Sequence, residues 1–193
     1  MRTLSYVVVL AILAAAGCGS STPAPTSPSP VTAASSVEPS PAPGPCVIGF
    51  DALRDNRVPF TAHTVCGLTI TAKSASWQSV TTYGQPAPFI QFVVPGGTTA
   101  VGEVSVTGSG SFTFQSVDIY SSTTKIPYEI NGLANGARTF TLQGTQGNTF
   151  GAFASILNPR SNALIDTLQI LLTNPAAPCC ANPVGLDNIR IVR

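Results

Sequence analysis

Residues 111–120 read SFTFQSVDIY, and the pattern of these ten residues is typical of a β-protein. Its two phenylalanines alternate with polar residues, which is the period of a β-strand with one buried face. The valine and isoleucine that follow continue the alternation on the opposite phase. Because successive side chains of a strand point to opposite faces, such a change of phase requires one extra residue. The sequence therefore predicts a β-strand with a bulge near Gln115-Ser116.

Segments of the same kind lie on both sides of this strand, and helical periodicity is nearly absent. They cover residues 47–52, 67–73, 77–82, 89–94, 101–106, 127–131, 138–144, 150–156, 163–172 and 186–192. Turns are predicted between them at Pro95-Gly96-Gly97, Gly108-Ser109-Gly110, Asn131-Gly132 and Asn135-Gly136. We therefore predict an all-β, antiparallel β-sandwich of the jelly-roll type, a single domain over residues 46–193 that follows a disordered linker.

The N-terminus has the features of an export signal. Arg2 precedes an uncharged run, LSYVVVLAILAAA, at residues 4–16. A membrane-spanning helix needs about 20 apolar residues, so this run is too short to span a bilayer. The sequence predicts a signal peptide over residues 1–17.

Residues 14–18, AAAGC, resemble the lipobox of bacterial lipoproteins, in which small residues precede an invariant cysteine. The resemblance implies that Cys18 receives a diacylglyceryl thioether and becomes the first residue of the mature protein. Ala15 departs from the motif, which more usually has leucine there. The alternative is an ordinary secretory signal cut near Ala16, with Cys18 incidental. Gly19 follows the cysteine, and by the sorting pattern of well-studied double-membraned bacteria this favours the outer membrane of the cell envelope.

Residues 18–45 are predicted to form a disordered tether that starts at the lipidated cysteine. Eight of the 26 residues from Ser20 to Pro45 are proline. Proline fixes φ and lacks a backbone donor, so neither helix nor sheet is expected here. An extended chain of this kind rises about 3.1 Å per residue, which allows a reach on the order of 80 Å. The tether is therefore expected to hold the domain away from the bilayer.

The low charge of the chain excludes some classes of partner. Charged residues are 9% of the sequence, and the formal net charge is +1. Proteins that bind phosphate backbones concentrate Lys and Arg, so nucleic acid is not an expected partner. No polybasic segment is present that would bind an anionic bilayer. Contact with the membrane is expected through the lipid anchor alone.

Five short stretches of the domain follow one another in an order seen in a known family. They are IGFDAL at 48–53, CGLTI at 66–70, GSFTFQSVDI at 110–119, YEING at 128–132 and GLDNI at 185–189. Together they resemble the galactose-binding-like jelly rolls of secreted and anchored bacterial proteins. The resemblance implies a jelly-roll fold, with glycan binding as the leading function, although such folds host many activities.

Four cysteines remain once Cys18 is lipidated, an even number in an exported protein, and disulfides are expected. Pairing Cys179 with its neighbour Cys180 would strain the intervening peptide and would leave Cys46 to Cys66. The other two pairings tie the N-terminal segment to the loop before the last strand, and we expect one of these two. A zinc site is not expected, because no C-x-x-C spacing exists and the single histidine, His63, lies in a polar loop.

No residue constellation indicates catalysis, and we predict that the protein is not an enzyme. One histidine leaves few options for a hydrolytic triad. Glycosidase chemistry needs two facing carboxylates, and nothing in the sequence brings Glu103 and Glu129 together.

A non-catalytic protein requires no cofactor, and a structural calcium ion is the one candidate for a bound metal. Asp51 and Asp187 lie at the ends of strands that neighbour each other in jelly rolls, and carboxylate oxygens there suit Ca²⁺. The alternative is that each aspartate accepts backbone N–H groups in a tight turn.

A sugar-binding surface is predicted around Trp77 and Tyr83, since flat aromatic rings stack on pyranose faces. Gln78 and Gln85 lie beside them and offer amide hydrogen bonds. The alternative is that these aromatic residues belong to the core. We therefore predict a membrane-anchored lipoprotein with a non-catalytic binding module for carbohydrate. The alternative is a structural lipoprotein that binds another envelope protein.

Overall fold

The structure is a computed structural model that describes residues 44–176 and 181–193. The signal peptide, Cys18, almost all of the tether, Cys179 and Cys180 lie outside the described residues. The predictions made for them therefore stay predictions.

Eleven strands make up the regular structure of the described residues. They are β1 Pro45–Ile48, β2 Ala62–Val65, β3 Leu68–Ser74, β4 Gln78–Val80, β5 Phe89–Val94, β6 Ala100–Ser121, β7 Ile126–Ala134, β8 Ala137–Gln146, β9 Phe153–Leu157, β10 Leu164–Asn174 and β11 Asn182–Val192. Every strand pairing among them is antiparallel. A search of these residues finds no helix with the length and apolar character needed to cross a membrane.

The long strand β6 belongs to two layers of the fold. Its residues 100–108 pair with β10 on one side and β3 on the other. Its residues 113–121 pair with β11 and β9, and the start of β10 also pairs with Phe112 and Thr113. Layer I therefore has the order β8-β7-β10-β6-β3-β2, and layer II has the order β4-β5-β11-β6-β9, with β1 alongside the far end of β11. The predicted all-β, antiparallel β-sandwich is confirmed.

One hydrophobic core fills the space between the two layers. It combines Val104, Ile130 and Leu168 of layer I with Ile90 and Leu186 of layer II, all fully buried. Burial of such side chains is the main favourable term in folding, at about 1.5–3 kcal/mol each. Aromatic rings from both layers meet in this core: Phe114 of β6 stacks on Phe140 of β8, with ring centroids 6.5 Å apart.

The predicted bulge in β6 is confirmed. Arg190 of β11 lies opposite Ser116, and the next residue of β11, Ile191, lies opposite Phe114. Gln115 is therefore the extra residue on β6. Its carbonyl oxygen accepts a hydrogen bond from the amide of Asn158 at 2.8 Å, so the displaced backbone keeps a partner. The bulge allows apolar side chains before and after it to reach the same core.

Two of the four predicted turns are confirmed and two are wrong. Thr98 donates to the carbonyl of Pro95 in the first turn, and Asn135 and Gly136 join β7 to β8 with φ values of 51° and 76°. Residues 108–110, by contrast, lie within β6, where Gly110 has a φ of 106° as the strand passes from one layer to the other. Asn131-Gly132 lies within β7, because Gly132 leaves the space that the ring of Phe140 occupies.

Strand β2 was not predicted, and the placement of His63 in a polar loop is wrong. Residues 62–65 pair with β3 alone, at the edge of layer I. A short edge strand of mixed polarity has no apolar alternation to reveal it. His63 is half-buried, and its ring lies 5.9 Å from the ring of Phe50.

The structure joins Cys46 to Cys66, with their Cα atoms 6.3 Å apart. The expectation that both pair with Cys179 and Cys180 is therefore wrong. The reason is tertiary: β1 pairs with β11, and Arg193, at the end of β11, donates to the carbonyl of Cys66 at 2.7 Å. Both cysteines consequently lie beside the same end of β11.

Candidate functional site

A pocket of about 370 Å³ lies on the outer face of layer II, and we call it the aromatic pocket. Its walls are Arg57, Gln78, Tyr83, Gln91, Val93, Ala181 and Pro183. Strand pairing places the two glutamines on one face, because Gln78 of β4 lies opposite Gln91 of β5. Val93 of β5 lies opposite Pro183 of β11 and extends the same face.

Tyr83 is held in a defined orientation in this pocket. Its hydroxyl donates to Oε1 of Gln91 at 2.7 Å, and Gln91 is only 1% exposed. Its ring meets the ring of Phe89 edge-on, with centroids 5.9 Å apart and planes at 79°. A buried amide and a buried ring thus fix the side chain from two directions. An aromatic ring fixed in this way loses little entropy when a ligand binds.

A small cluster of buried and half-buried apolar side chains supports the aromatic pocket. It lies on the outer face of layer II, separate from the main core, and consists of Val80, Tyr83, Phe89, Tyr120 and Phe153. Tyr120 is 5% exposed, and burial, followed by the nearby Tyr83, raises the pKa of its hydroxyl. The phenol therefore stays neutral, and the cluster packs against Tyr83, its member in the pocket wall.

Trp77 does not belong to this surface, and its prediction as a stacking platform is wrong. Its side chain is 2% exposed and packs on Phe92 in the core, with ring centroids 4.9 Å apart. The physical reason is the two-residue period of a strand. Because Gln78 points outward into the aromatic pocket, the residue before it points inward.

The four predicted ligand residues therefore separate into three groups. Tyr83 and Gln78 line the aromatic pocket, and Trp77 lies in the core. Gln85 is exposed in the connection from β4 to β5 and is not part of the pocket wall. Sequence reasoning missed Arg57, which reaches the pocket from the connection between β1 and β2. The amide of Arg57 donates to the carbonyl of Ser79 at 2.8 Å, a long-range contact with no local sequence signal.

Phe150 is a second aromatic residue that sequence reasoning did not single out. Its side chain is 84% exposed in the loop between β8 and β9, and its φ is +52°. Hydrogen bonds hold the loop: Thr149 both donates to and accepts from the backbone of Ser121, and the amide of Phe150 donates to Asn148. The loop therefore presents a bulky apolar ring to solvent from a fixed backbone.

The structure brings the predicted calcium ligands Asp51 and Asp187 together. One carboxylate oxygen of each lies within 4 Å of the position that a Cβ on Gly49 would take. Burial, and then the charges of Asp51 and Asp118, raise the pKa of Asp187 to about 6, while a hydrogen bond from the backbone of Asn188 and the charge of Arg190 act in the opposite direction. Asp166, by contrast, accepts a hydrogen bond from the backbone amide of Asn135 at 2.6 Å, in the turn between β7 and β8.

Glu103 and Glu129 also lie closer together than the sequence indicated. Both flank Leu171 of β10, one on each neighbouring strand, so they share the outer face of layer I. Hydrogen bonds from Asn131 and Gln143 lower the pKa of Glu129. A glycosidase requires one carboxylic acid with a raised pKa, and the lowered pKa of Glu129 does not suit that residue to the role of general acid.

No protein-family model matches the chain, and no curated protein matches it. Solved structures with similar folds include a family 29 carbohydrate-binding module from Piromyces equi, with a TM-score of 0.47 and 10% identity over 78% of this chain and 90% of that one. The family 32 module of C. perfringens NanJ, in complex with galactose, has a TM-score of 0.43 and 14% identity over 66% and 98% of the two chains. TmCBM61, in complex with β-1,4-galactotriose, has a TM-score of 0.39 and 11% identity over 65% and 88%. These TM-scores are low, so the likenesses carry no argument about a ligand.

Proposed function

We propose that this protein is a lipoprotein of the bacterial cell envelope whose β-sandwich is a non-catalytic carbohydrate-binding module. Cys18 carries the lipid, the residues between Cys18 and the start of β1 form the tether, and the outer membrane is the favoured location in an organism that has one. The anchor and the tether are proposed from the sequence alone. The proposal of sugar binding rests on the aromatic pocket.

The observation that carries this proposal is the pairing of a fixed ring with hydrogen-bonding side chains in one concave surface. Tyr83 offers a half-buried aromatic face, and Gln78, Gln91 and Arg57 surround it. Neutral sugars present an apolar C–H face and a rim of hydroxyl groups. An aromatic residue with amide and guanidinium neighbours matches both features.

The charge of the surface favours a neutral ligand. Among the described residues of the pocket wall, Arg57 is the only charged one, and its guanidinium can donate to hydroxyl groups as well as to anions. The net charge of the whole chain is +1, which provides little attraction for a polyanion. We therefore propose a neutral polysaccharide as the ligand class.

Affinity electrophoresis in gels containing galactomannan, xyloglucan or arabinogalactan, preceded by a glycan array, tests this function. Tyr83→Ala removes the ring, and we expect binding to weaken by about 1–3 kcal/mol, as for truncation of an anchoring residue. Tyr83→Phe keeps the ring and loses only the hydrogen bond to Gln91, so a smaller loss is expected.

Gln143→Ala is the matched control, because Gln143 is an exposed glutamine on β8 of layer I, away from the aromatic pocket. Its binding should equal that of the wild type. Retention on no glycan at all, or equal binding by Tyr83→Ala and the wild type, would contradict the proposal.

A different observation favours the second candidate, a lipoprotein that binds another envelope protein. Four exposed apolar side chains lie on neighbouring strands of the outer face near β1: Val47 at 48%, Leu157 at 73%, Leu164 at 63% and Val192 at 38% exposure. Val47 and Leu157 belong to one row of paired residues across the sheet, with Arg190 and Ser116 between them. Val192 and Leu164 belong to a second row, with Thr113 between them. Chemical cross-linking in cells tests this second candidate. If it is right, the wild type is cross-linked to a specific partner protein, and the double variant Leu157→Asp/Leu164→Asp is not.

A further inference from the structure

Three side-chain oxygens converge on one small space above Gly49. The position of a Cβ on Gly49 would be 3.6 Å from Oδ2 of Asp51, 3.7 Å from Oδ1 of Asn188 and 3.9 Å from Oδ1 of Asp187. We call these three residues the oxygen cradle. Glycine is what leaves the space open, because any side chain at residue 49 would begin within it.

Asp187 has an oxygen that lacks a partner. The residue is 3% exposed, and its Oδ1 atom is buried without any hydrogen bond. Leaving a buried polar atom unsatisfied costs about 1–3 kcal/mol, and more when the group is charged. This oxygen is one of the three that face the space above Gly49, so an occupant of that space would satisfy it.

The amide of Asn188 is oriented by its neighbours. Its Nδ2 donates to Oδ2 of Asp118 and to Oδ2 of Asp187, both at 3.1 Å. The two carboxylates accept only, so the nitrogen must lie between them and the amide oxygen must point the other way. That amide oxygen is the one that faces the space above Gly49.

The charges around the cradle leave it negative. Asp118 is paired with Arg190, whose two terminal nitrogens lie 3.1 and 3.3 Å from its oxygens. A second cation, Arg54, donates to the backbone carbonyl of Asp51 at 3.2 Å. Asp51 and Asp187 therefore contribute two negative charges that no described side chain pairs.

A cavity of about 380 Å³ gives access to the cradle from solvent. Gly49, Asp51 and Asn188 line it, and His63 of β2 lies in the same wall. An ion can therefore reach the cradle without opening the core.

We propose that Asp51, Asp187 and Asn188 bind a calcium ion in the space above Gly49. Carboxylate and amide oxygens are hard ligands that Ca²⁺ prefers, and its flexible coordination allows waters to complete the shell. No group of three His, Cys, Asp or Glu side chains suited to a metal forms within the described ranges, and here the third donor is an asparagine. The ion links the connection after β1 to the point in β11 where its partner changes from β5 to β1.

Isothermal titration of the purified full chain with CaCl₂, together with thermal melts in CaCl₂ or EDTA, tests the proposal. At a hundredfold excess over Kd, a bound ion should raise the melting temperature by roughly 5–10 °C. MgCl₂ should bind at least tenfold more weakly, since Mg²⁺ demands strict octahedral geometry. Absence of heat and of a melting shift with CaCl₂ would overturn the proposal, and equal binding of Mg²⁺ would overturn the assignment to calcium.

Two variants test whether calcium binds at these residues. Gly49→Ala places a methyl group in ordinary van der Waals contact with the three oxygens, and residue 49 lacks a positive φ, so the variant should fold and lose the calcium response. Asp187→Asn should melt higher than the wild type in EDTA, because it removes an unpaired buried charge, and it should also lose the response.

Asp55→Asn is the control, an exposed aspartate in the same connection between β1 and β2, and it should keep the full calcium response. A wild-type response in Asp187→Asn would overturn the proposal even if Gly49→Ala fails to fold. No sugar is present in these measurements, so their failure would leave the proposed carbohydrate binding untouched.

Discussion

Phe150 combines two features that folding alone does not favour. A bulky residue in the left-handed region, here with a φ of +52°, costs of order 1–3 kcal/mol. Its ring is 84% exposed and therefore contributes little burial in return. Such a residue is a candidate for contact with a ligand or partner, since the loop that carries it is firmly hydrogen-bonded.

Phe150→Gly should therefore stabilise the domain by about 0.5–1 kcal/mol, because glycine adopts this conformation without steric cost. Urea denaturation followed by circular dichroism measures the change. Phe150→Ala is the control, since it removes the ring while keeping the strained backbone, and it should leave stability nearly unchanged. A destabilised glycine variant would show that the exposed ring does contribute to folding.

Asp187 makes the stability of the ion-free domain depend on pH. Its pKa in the folded state is about 6, above the ordinary value of 3.8, so the folded state holds the proton more tightly than the unfolded state. Stability is therefore highest when the group is protonated, and it falls as pH rises from about 4 to about 6. One pKa unit corresponds to about 1.4 kcal/mol, so the fall amounts to at most about 3 kcal/mol.

Asp187→Asn should lack this part of the pH dependence. The measurement is the free energy of unfolding in EDTA at pH 4, 5, 6 and 7 for both proteins, since the difference between them isolates Asp187 from the other carboxylates. Parallel curves for the two proteins would contradict the assignment.

The extra residue of β6, Gln115, sets which side chains of this strand face the core. Phe114 faces the core before the bulge, and Val117 and Ile119 face it afterwards. Deletion of Gln115 would turn residues 117 and 119 to the outer face, because side chains alternate with a period of two. Asp118 and Tyr120 would then point into the core.

We expect deletion of Gln115 to abolish cooperative unfolding. Gln115→Ala is the matched control: it keeps the extra residue and removes only the side-chain hydrogen bonds to Thr113 and Ser161, so it should cost about 1 kcal/mol. Near-ultraviolet circular dichroism and thermal melts separate the two outcomes. A deletion variant that melts like the wild type would show that the register can adjust elsewhere.

The whole molecule divides into a domain that folds by its own contacts and a proposed anchor that lies outside the described residues. Cys18→Ala should move the protein from the membrane fraction to the soluble fraction, because it removes the proposed site of lipidation and the low charge of the chain provides little attraction for an anionic bilayer. Fractionation of cells with immunoblotting measures this. The melting temperature of the released protein should equal that of detergent-extracted wild type, and an alanine variant that stays in the membrane fraction would contradict lipid anchoring at this residue.

Patterns among neighbouring residues predicted the local features of this protein correctly in most places. Period-two alternation predicted the strands, the phase change in 111–120 predicted the bulge at Gln115, and Asn135-Gly136 predicted a tight turn. These predictions succeeded because each depends on residues that are neighbours in the chain. The turn predicted at residues 108–110 was wrong, because its two glycines lie within β6 at the point where this strand passes from one layer to the other.

Contacts between residues that are distant in the chain depend on the tertiary arrangement of the strands. Strand order brings Cys46 to Cys66, Arg57 to Tyr83, and Asp51 to Asp187, and it turns Trp77 into the core while Gln78 faces the aromatic pocket. None of these pairs is encoded in a local pattern, since the position of β1 beside β11 follows from packing two layers around one core. The candidate sites lie where strands from opposite ends of the chain become neighbours, and burial of the shared core is the force that holds those strands together.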